Sequence, residues 1–353
     1  MSYLIDVHSR YLHFKKPAGT SRGVYTQRKS WFIHLSSTES PERIGIGECA
    51  PLPNLSCDDV PEYEEVLSNA CQRFMETGSI DIEGLRNYPS ILFGLETALR
   101  QYQANSTALW DTPFSRSEVG IPINGLIWMG SYKEMIEQVE AKIKAGFRCI
   151  KLKIGAIDFE EELNILRIIR QHFTAKEIEL RVDANGAFSP FDAMDKLKHL
   201  ADLVLHSIEQ PIRAGQWDEM AHLCEQTPFP IALDEELIGV NNCATKEALL
   251  DTIRPQYIIL KPSLHGGIGG SEEWIKLANE RGIGSWVTSA LESNIGLNAF
   301  AQWTATLNPT LPQGLGTGIL FTDNIDYPLH IEGDCLWYDP AKQEPDILSW
   351  LKQ

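Results

Sequence analysis

Long apolar runs, paired cysteines and an excess of positive charge are all missing from this sequence. No stretch is apolar for long enough to span a bilayer. The amino terminus, MSYLIDVHSRYLHFKK, alternates like a strand where a secretory leader would carry an apolar core. The seven cysteines (Cys49, Cys57, Cys71, Cys149, Cys224, Cys243 and Cys335) are odd in number, scattered and free of Cys-x-x-Cys spacing. That pattern reads as reduced thiols packing the core of a cytoplasmic protein. Lysine and arginine number 31 against 48 aspartates and glutamates, a net charge of −17. An acidic balance of this size sets nucleic acid and anionic membranes aside as partners. No low-complexity segment occurs. With 353 residues and 43% hydrophobic side chains, the chain is long enough for a barrel-sized core plus an appendage.

What is present is a run of five short apolar segments between Lys151 and Lys261: CIKLK, ELRVD, LHSIE, IALDE and IILKP. Each ends in charge, at Lys153, Asp183, Glu209, Asp234 and Lys261, spaced 30, 26, 25 and 27 residues apart. One strand, one helix and two short loops fill such an interval, which is the βα unit of a parallel barrel. Strand side chains two apart share a face. If the charged tips point inward, so do Lys151, Arg181, Ser207, Ala232 and Ile259. Leu152, Val182, Ile208, Leu233 and Leu260 then point outward, and all are apolar, as strands covered by helices require. A single charge at a strand end is usually solvated or ion-paired. Three consecutive strands ending Asp, Glu and Asp are harder to treat that way, because converging carboxylates repel unless a cation lies between them. Hard oxygen ligands with room for water suit Mg²⁺. Lysines on both flanks suit a small anionic substrate whose charge grows during reaction.

In chain order, residues 3–15, 30–37 and 43–49 read as an antiparallel meander. The polar stretch KKPAGTSRGVYTQRK between the first two strands reads equally as a lid or as a plain connection. PEYEEVLSNACQRFMETG and PSILFGLETALRQYQAN read as amphipathic helices opening near proline. Strand IPINGLI then starts an alternation of eight strands and seven helices that ends near 311–315, with Gly146 stopping the first of those helices. The expected fold is α/β: a modified TIM barrel, (βα)7β, at 119–315. An α+β capping domain at 1–118, completed by 316–353, accompanies it.

These motifs resemble the enolase superfamily, in its muconate-lactonising subgroup, and within that subgroup the o-succinylbenzoate synthases. Lys151–Leu152–Lys153 resembles the family's Lys-x-Lys at the end of the second barrel strand. Asp183, Glu209 and Asp234 resemble its three Mg²⁺ ligands, with Mn²⁺ as the alternative ion. Lys261, in LKPSLHGG, resembles its lysine across the pocket, and GECAPLP resembles part of the cap. TSALESNIG resembles the seventh-strand stretch, bringing in Ser289, Glu292 and Ser293 as substrate contacts. Dipeptide epimerases of the superfamily carry Asp-x-Asp where this chain has Leu315–Gly316–Thr317, which argues against a substrate ammonium.

The resemblance implies a metal-dependent syn-dehydration of 2-succinyl-6-hydroxy-2,4-cyclohexadiene-1-carboxylate to o-succinylbenzoate through a metal-stabilised enediolate, a step of menaquinone biosynthesis. Lys153 is the base, and once protonated it is the acid for the departing hydroxyl. Lys261 is a cation on the other face. Lys151 is a neighbour tuning Lys153, or alternatively a salt-bridge partner of Asp183 or Glu209. Asn185 orients a ligand carboxylate, or caps the Asn185–Gly186 turn. Glu235 has outward parity and is the weaker ligand, Arg181 is a deeper ion-pair partner, and His265 is a loop residue. The other reading within the subgroup is a racemase of N-succinylamino acids, with Lys153 and Lys261 as paired bases.

Overall fold

The computed structural model describes residues 2–20 and 23–352. Three antiparallel strands come first: β1 (Tyr3–Thr20), β2 (Gly23–Ser37) and β3 (Gly45–Cys49), in that order across the sheet. Helices α1 (Tyr63–Thr77) and α2 (Pro89–Ala104) cover one face, against Ile33, Leu35 and Cys49. The other face buries Leu12, Phe14, Phe32 and Ile46 against Leu291, Ile295, Phe321 and Trp350 from late in the chain. Helix α2 lies tight on β3 because glycine meets glycine: a Cβ on Gly47 would fall 1.8 Å from the Gly94 carbonyl oxygen.

The polar stretch between the first two strands is not a loop. It forms the upper arms of the β1–β2 hairpin, with His13 opposite Gln27 and, past a register shift, Ala18 opposite Tyr25; Ser21 and Arg22 of that stretch lie outside the described residues. Its polarity misled because Arg28 is buried by carbonyls, donating to the backbone oxygens of Ala50 and Ala290.

The second body alternates: β5 (Gly125–Ile127), α3 (Tyr132–Lys144), β6 (Cys149–Lys153), α4 (Phe159–His172), β7 (Glu179–Asp183), α5 (Ala193–Ala201), β8 (Ser207–Glu209), α6 (Trp217–Gln226), β9 (Ile231–Leu233), α7 (Cys243–Ile253), β10 (Tyr257–Leu260), α8 (Gly267–Asn279), β11 (Gly284–Val287) and α9 (Asn294–Thr306). The seven strands pair in chain order, all parallel. The expected eighth strand near 311–315 is reduced to two isolated bridges, Gln313 to Ile123 and Gly314 to Thr288, which close the curled seven-stranded sheet into the expected (βα)7β barrel form. The expected first strand, IPINGLI, is split: β4 (Ile121–Pro122) turns away to pair with β13 (Cys335–Tyr338), itself paired with β12 (Leu329–Glu332). Helix starts follow local chemistry. Ser131 and Glu134 form a reciprocal capping box on α3, and Gly146, at φ +90°, ends that helix's exit turn.

Strand parity shows directly in the packing. Leu152, Val182, Ile208, Leu233 and Leu260 all lie in the cluster between the strands and their helices. Ala232, Ile259 and Trp286 form a separate small cluster inside the barrel. Below the mouth, Arg181 stacks 4.5 Å over the Trp286 ring and donates to Glu179 at 2.7 Å. After the barrel, Phe14 bridges Phe321, and α10 (Ile347–Leu351) sets Trp350 against Phe32.

Two carboxylates carried by the first body seat on helix N-termini of the barrel. Glu48, in β3, accepts from the amides of Ser293 and Gly296 at 3.0 Å, at the start of α9. Glu96, in α2, accepts from Ile268 N at 2.6 Å and Gly269 N at 3.1 Å, at the start of α8. Unpaired amides and the helix dipole both favour an anion there. Burial nevertheless outweighs these two hydrogen bonds and pushes the Glu96 carboxyl up to about 7. Below the ordinary value of 4.5 both folded and unfolded chains hold this proton, and between there and about 7 only the folded chain does. The folded state therefore loses stability as pH rises through that window. Glu96→Gln keeps an acceptor and removes the titration. In urea titrations it should gain on the parent between about pH 4 and about pH 8, by up to about 3 kcal/mol. A difference that does not change with pH would contradict this.

Candidate active site

A cavity of about 310 Å³ opens at the C-terminal ends of the barrel strands. Lys151, Lys153, Asp183, Asn185, Glu209, Asp234 and Lys261 all line it, together with Ser289. Lys151, Lys153, Asp183, Glu209, Asp234 and Lys261 come together because they lie near or just past the C-terminal ends of adjacent parallel strands; β6 and β7 pair Lys151 with Arg181 and Lys153 with Asp183, and β7 and β8 pair Asp183 with Glu209. The cap closes the mouth from above with Tyr25, Leu52 and Leu55, and Trp128, Ile319 and Leu320 complete an apolar rim.

At the base, ammonium and carboxylate groups interlock. Lys151 Nζ lies 3.0 Å from Asp183 Oδ2 and 2.5 Å from Glu209 Oε2. Lys153 Nζ donates to Asp183 Oδ2 at 3.0 Å and to Asn185 Oδ1 at 2.8 Å. Lys261 donates to Asp234. Burial alone would lower the pKa of Lys151, but Asp183 and Glu209 outweigh it and hold the ammonium above its ordinary value. The same balance, with Asp234 as the main partner, raises Lys261. Burial would raise Asp183, and Lys151 and Lys153 hold it low instead. Burial with Asp183 beside it pushes Glu209 up, although Lys151 faces it. Lys151 is the charged member of that pair, because it is bonded to two carboxylates, whereas Glu209 is crowded by Asp183 and Asp234.

This donor set fits a divalent cation. Three carboxylates converge from adjacent strands, and Asp234 Oδ1 is buried without a partner. Among the described residues no three acidic, histidine or cysteine side chains already stand as a ligand set. The facing oxygens are closed on the lysines, and Asp183, Glu209 and Asp234 would hold a divalent cation by turning from the ammoniums that now balance their charge.

Two site expectations need correction. Glu292 and Ser293 do not line the cavity. Glu292 is buried, accepting from Ser263 Oγ at 2.6 Å and Ala290 N at 2.7 Å, while Ser293 caps α9 and meets Glu48. Of the three expected contacts only Ser289 lines the cavity, beside Ala290 and Leu291, with its hydroxyl 2.6 Å from that of Thr317. Glu235, expected to point outward, also lines the cavity and accepts from Asn185 Nδ2 at 2.9 Å. Strand β9 stops at Leu233 and the chain turns into a 3-10 turn at Glu235–Leu237, so strand parity no longer applies. Asn185 makes the turn, at φ +43°; its side chain links Lys153 to Glu235, and only its backbone amide meets a candidate ligand, donating to Asp183 Oδ1 at 3.0 Å. His265 is fully buried under Lys261, whose backbone amide donates to its Nδ1 at 3.0 Å; burial pushes this imidazole down to about 3, so it sits neutral.

Residues 134–339 match the enolase C-terminal domain-like family, and residues 20–102 match the N-terminal domain of MenC. The o-succinylbenzoate synthase of Desulfotalea psychrophila is 47% identical, over 92% of this chain and 96% of its own. The L-Ala-D/L-Glu epimerase of Bacillus subtilis is 27% identical, over 82% and 81%. The crystal structure of MenC from Desulfotalea psychrophila superposes with a TM-score of 0.80 at 41% identity, covering 96% of this chain and 100% of that one.

Removing the shared cation of the cluster leaves two buried carboxylates facing each other. Lys151→Met should therefore destabilise the protein by about 3–5 kcal/mol in urea unfolding without added metal. Lys153→Met, which leaves Asp183 its bond to Lys151, should cost clearly less. Equal costs would show that the cluster does not depend on Lys151.

Proposed function

The chain belongs to the enolase superfamily and, within it, to the o-succinylbenzoate synthases, and from that membership we propose how its residues divide the work of the dehydration. The enzyme is a hydro-lyase of menaquinone biosynthesis, and it removes water from 2-succinyl-6-hydroxy-2,4-cyclohexadiene-1-carboxylate to give o-succinylbenzoate. We assign catalysis to the barrel, 119–315, and closure to 1–118 with 316–353. No helix of the described residues is long and apolar enough to cross a membrane, and with cysteines that are all free we read the enzyme as cytoplasmic.

The observation that carries the assignment is the arrangement of three carboxylates from successive strands between lysines from the strands on either side. Asp183, Glu209 and Asp234 would hold Mg²⁺, or Mn²⁺ in its place, and when bound the ion supplies positive charge to the substrate's ring carboxylate. The chemical difficulty is the proton on the carbon next to that carboxylate, since its loss puts further negative charge on the carboxylate oxygens. Lys153 acts in its neutral amine form and takes this proton to become the ammonium, and Asn185 and Asp183 fix its Nζ in place. The neighbouring hydroxyl leaves from the same face, so the protonated Lys153 returns the proton to it as water forms. Lys261 stays an ammonium on the other side, held charged by Asp234, and attracts the developing anion. Lys151 remains an ion-pair partner and keeps the base region positive. The leucines and Trp128 of the rim exclude water from the ring.

Chelation should abolish turnover and Mg²⁺ should restore it, while Asp234→Asn stays folded and inactive; full activity in a metal-stripped sample would remove the metal assignment. Lys153→Ala should lose both dehydration and exchange of the α-proton with deuterated solvent. Lys261→Ala should lower kcat while wild-type exchange in a non-eliminating succinyl analogue proceeds from one face only. Exchange from both faces, with kcat/KM favouring N-succinylamino acids over the cyclohexadiene carboxylate, would identify a racemase instead.

A further inference from the structure

The cavity does not end at the charged cluster. The barrel wall is thin between β5 and the closing segment: Asn124 N bonds to Gln313 O, but beyond it Gly125–Ile127 pairs only with β6. Gly314 bonds to β11 on its far side, and neither it nor Gly316 places a side chain in the opening. Through this opening the cavity continues to the inner face of α3, where Gln138 and Lys142, one turn apart, join Leu126, Phe147 and Thr317 in its lining.

Lys142 differs from every other lysine of the cavity. Lys151, Lys153 and Lys261 are each bonded to a carboxylate. Among the described residues Lys142 has no acidic partner. Its ammonium lies 4.8 Å from the centre of the Phe147 ring and is half-buried. Burial, with no opposing charge, lowers its pKa. Helix polarity does not account for this placement, since Lys144 in the same last turn is exposed and free to serve the C-terminal carbonyls. Gln138 cannot neutralise it either: its amide is committed both ways to the backbone of Trp128, at 2.9 and 3.2 Å. A partly desolvated cation without a partner, at the end of an apolar passage, is set for an anion that arrives with the ligand.

We propose that Lys142 receives the carboxylate at the far end of the substrate's succinyl arm, making it the residue that selects a dianion over a monoanion. This rests on the function assigned above, whose substrate carries one carboxylate on the ring and a second on the arm. With the ring carboxylate at the cluster, the arm runs past Leu126 and Phe147 and its terminal oxygens accept from the Lys142 ammonium.

The test compares binding of o-succinylbenzoate and its succinyl-end methyl ester by calorimetry, with Mg²⁺ present. A charge-assisted pair of this kind is worth roughly 10- to 100-fold in affinity. Wild type should prefer the diacid by that factor, Lys142→Met should bind both about as weakly as wild type binds the ester, and Lys142→Arg should regain part of the preference. In turnover, Lys142→Met should raise KM and leave kcat nearly unchanged. Undiminished preference for the diacid in Lys142→Met overturns the proposal, as does a fall in kcat with KM unchanged. The assignment of function fails separately: wild type that does not dehydrate the cyclohexadiene carboxylate, yet tells diacid from ester through Lys142, would refute the reaction and keep the subsite.

Discussion

Buried charge at the mouth of the barrel must be balanced locally, and that requirement orders much of what surrounds it. Asp183, Glu209 and Asp234 are nearly inaccessible to water, so each needs a cation within bonding distance. Lys151, Lys153 and Lys261 meet the requirement from the strands on either side. Such a cluster holds only if the strands are in register to within one residue, because a slip would turn every charge into the layer under the helices. The leucines and valine alternating with these charges fix that register from the outside. Packing and electrostatics thus constrain the same five strands from opposite faces.

The capping body is tied into this arrangement by the same physics on a smaller scale. Glu48 seats on α9 and Glu96 on α8, so two barrel helices obtain their N-terminal acceptors from another part of the chain. The glycine contact between β3 and α2 holds the two carboxylates in a fixed relation. Segment Ala290–Ser293, between β11 and α9, is gripped at both ends, by Arg28 on the Ala290 carbonyl and by Glu48 on Ser293. Because Ser289, Ala290 and Leu291 line the cavity, docking of the cap sets the shape of that wall.

The legible part of the sequence was whatever obeys a period. Five charged tips with alternating apolar neighbours specified strand number, facing and the gathering of Lys153, Asp183, Glu209, Asp234 and Lys261 in one cavity. Reading failed where a period ends or where a partner is distant in sequence. Glu235 follows the last residue of its strand and is turned inward by a 3-10 turn that parity cannot foresee. Arg28 made a strand look like a loop, because the carbonyls that accommodate it, at Ala50 and Ala290, lie far along the chain. Glu292 and Ser293 sit beside Ser289 in sequence, yet the turn into α9 commits them to Ser263 and Glu48. Lys142 gave no signal at all, since a lysine in the last turn of a helix is ordinary and only the opening beside β5 gives it a cavity to face.

The two ends of the cavity therefore differ in kind. At the strand tips every lysine already has an internal partner, so a substrate gains there by redistributing charge among groups that are never bare. At α3, among the described residues, Lys142 has no such partner, so its desolvation is offset only when an anion arrives. Between them Leu126 and Phe147 contribute apolar area without preference for one polar group over another. A monocarboxylate would satisfy the first end and leave the second exposed to the cost of an unpaired charge. Chemistry and selection can then be carried by different residues: changes at the strand tips alter what happens to the proton, and changes on α3 alter which molecule is held long enough for it to happen.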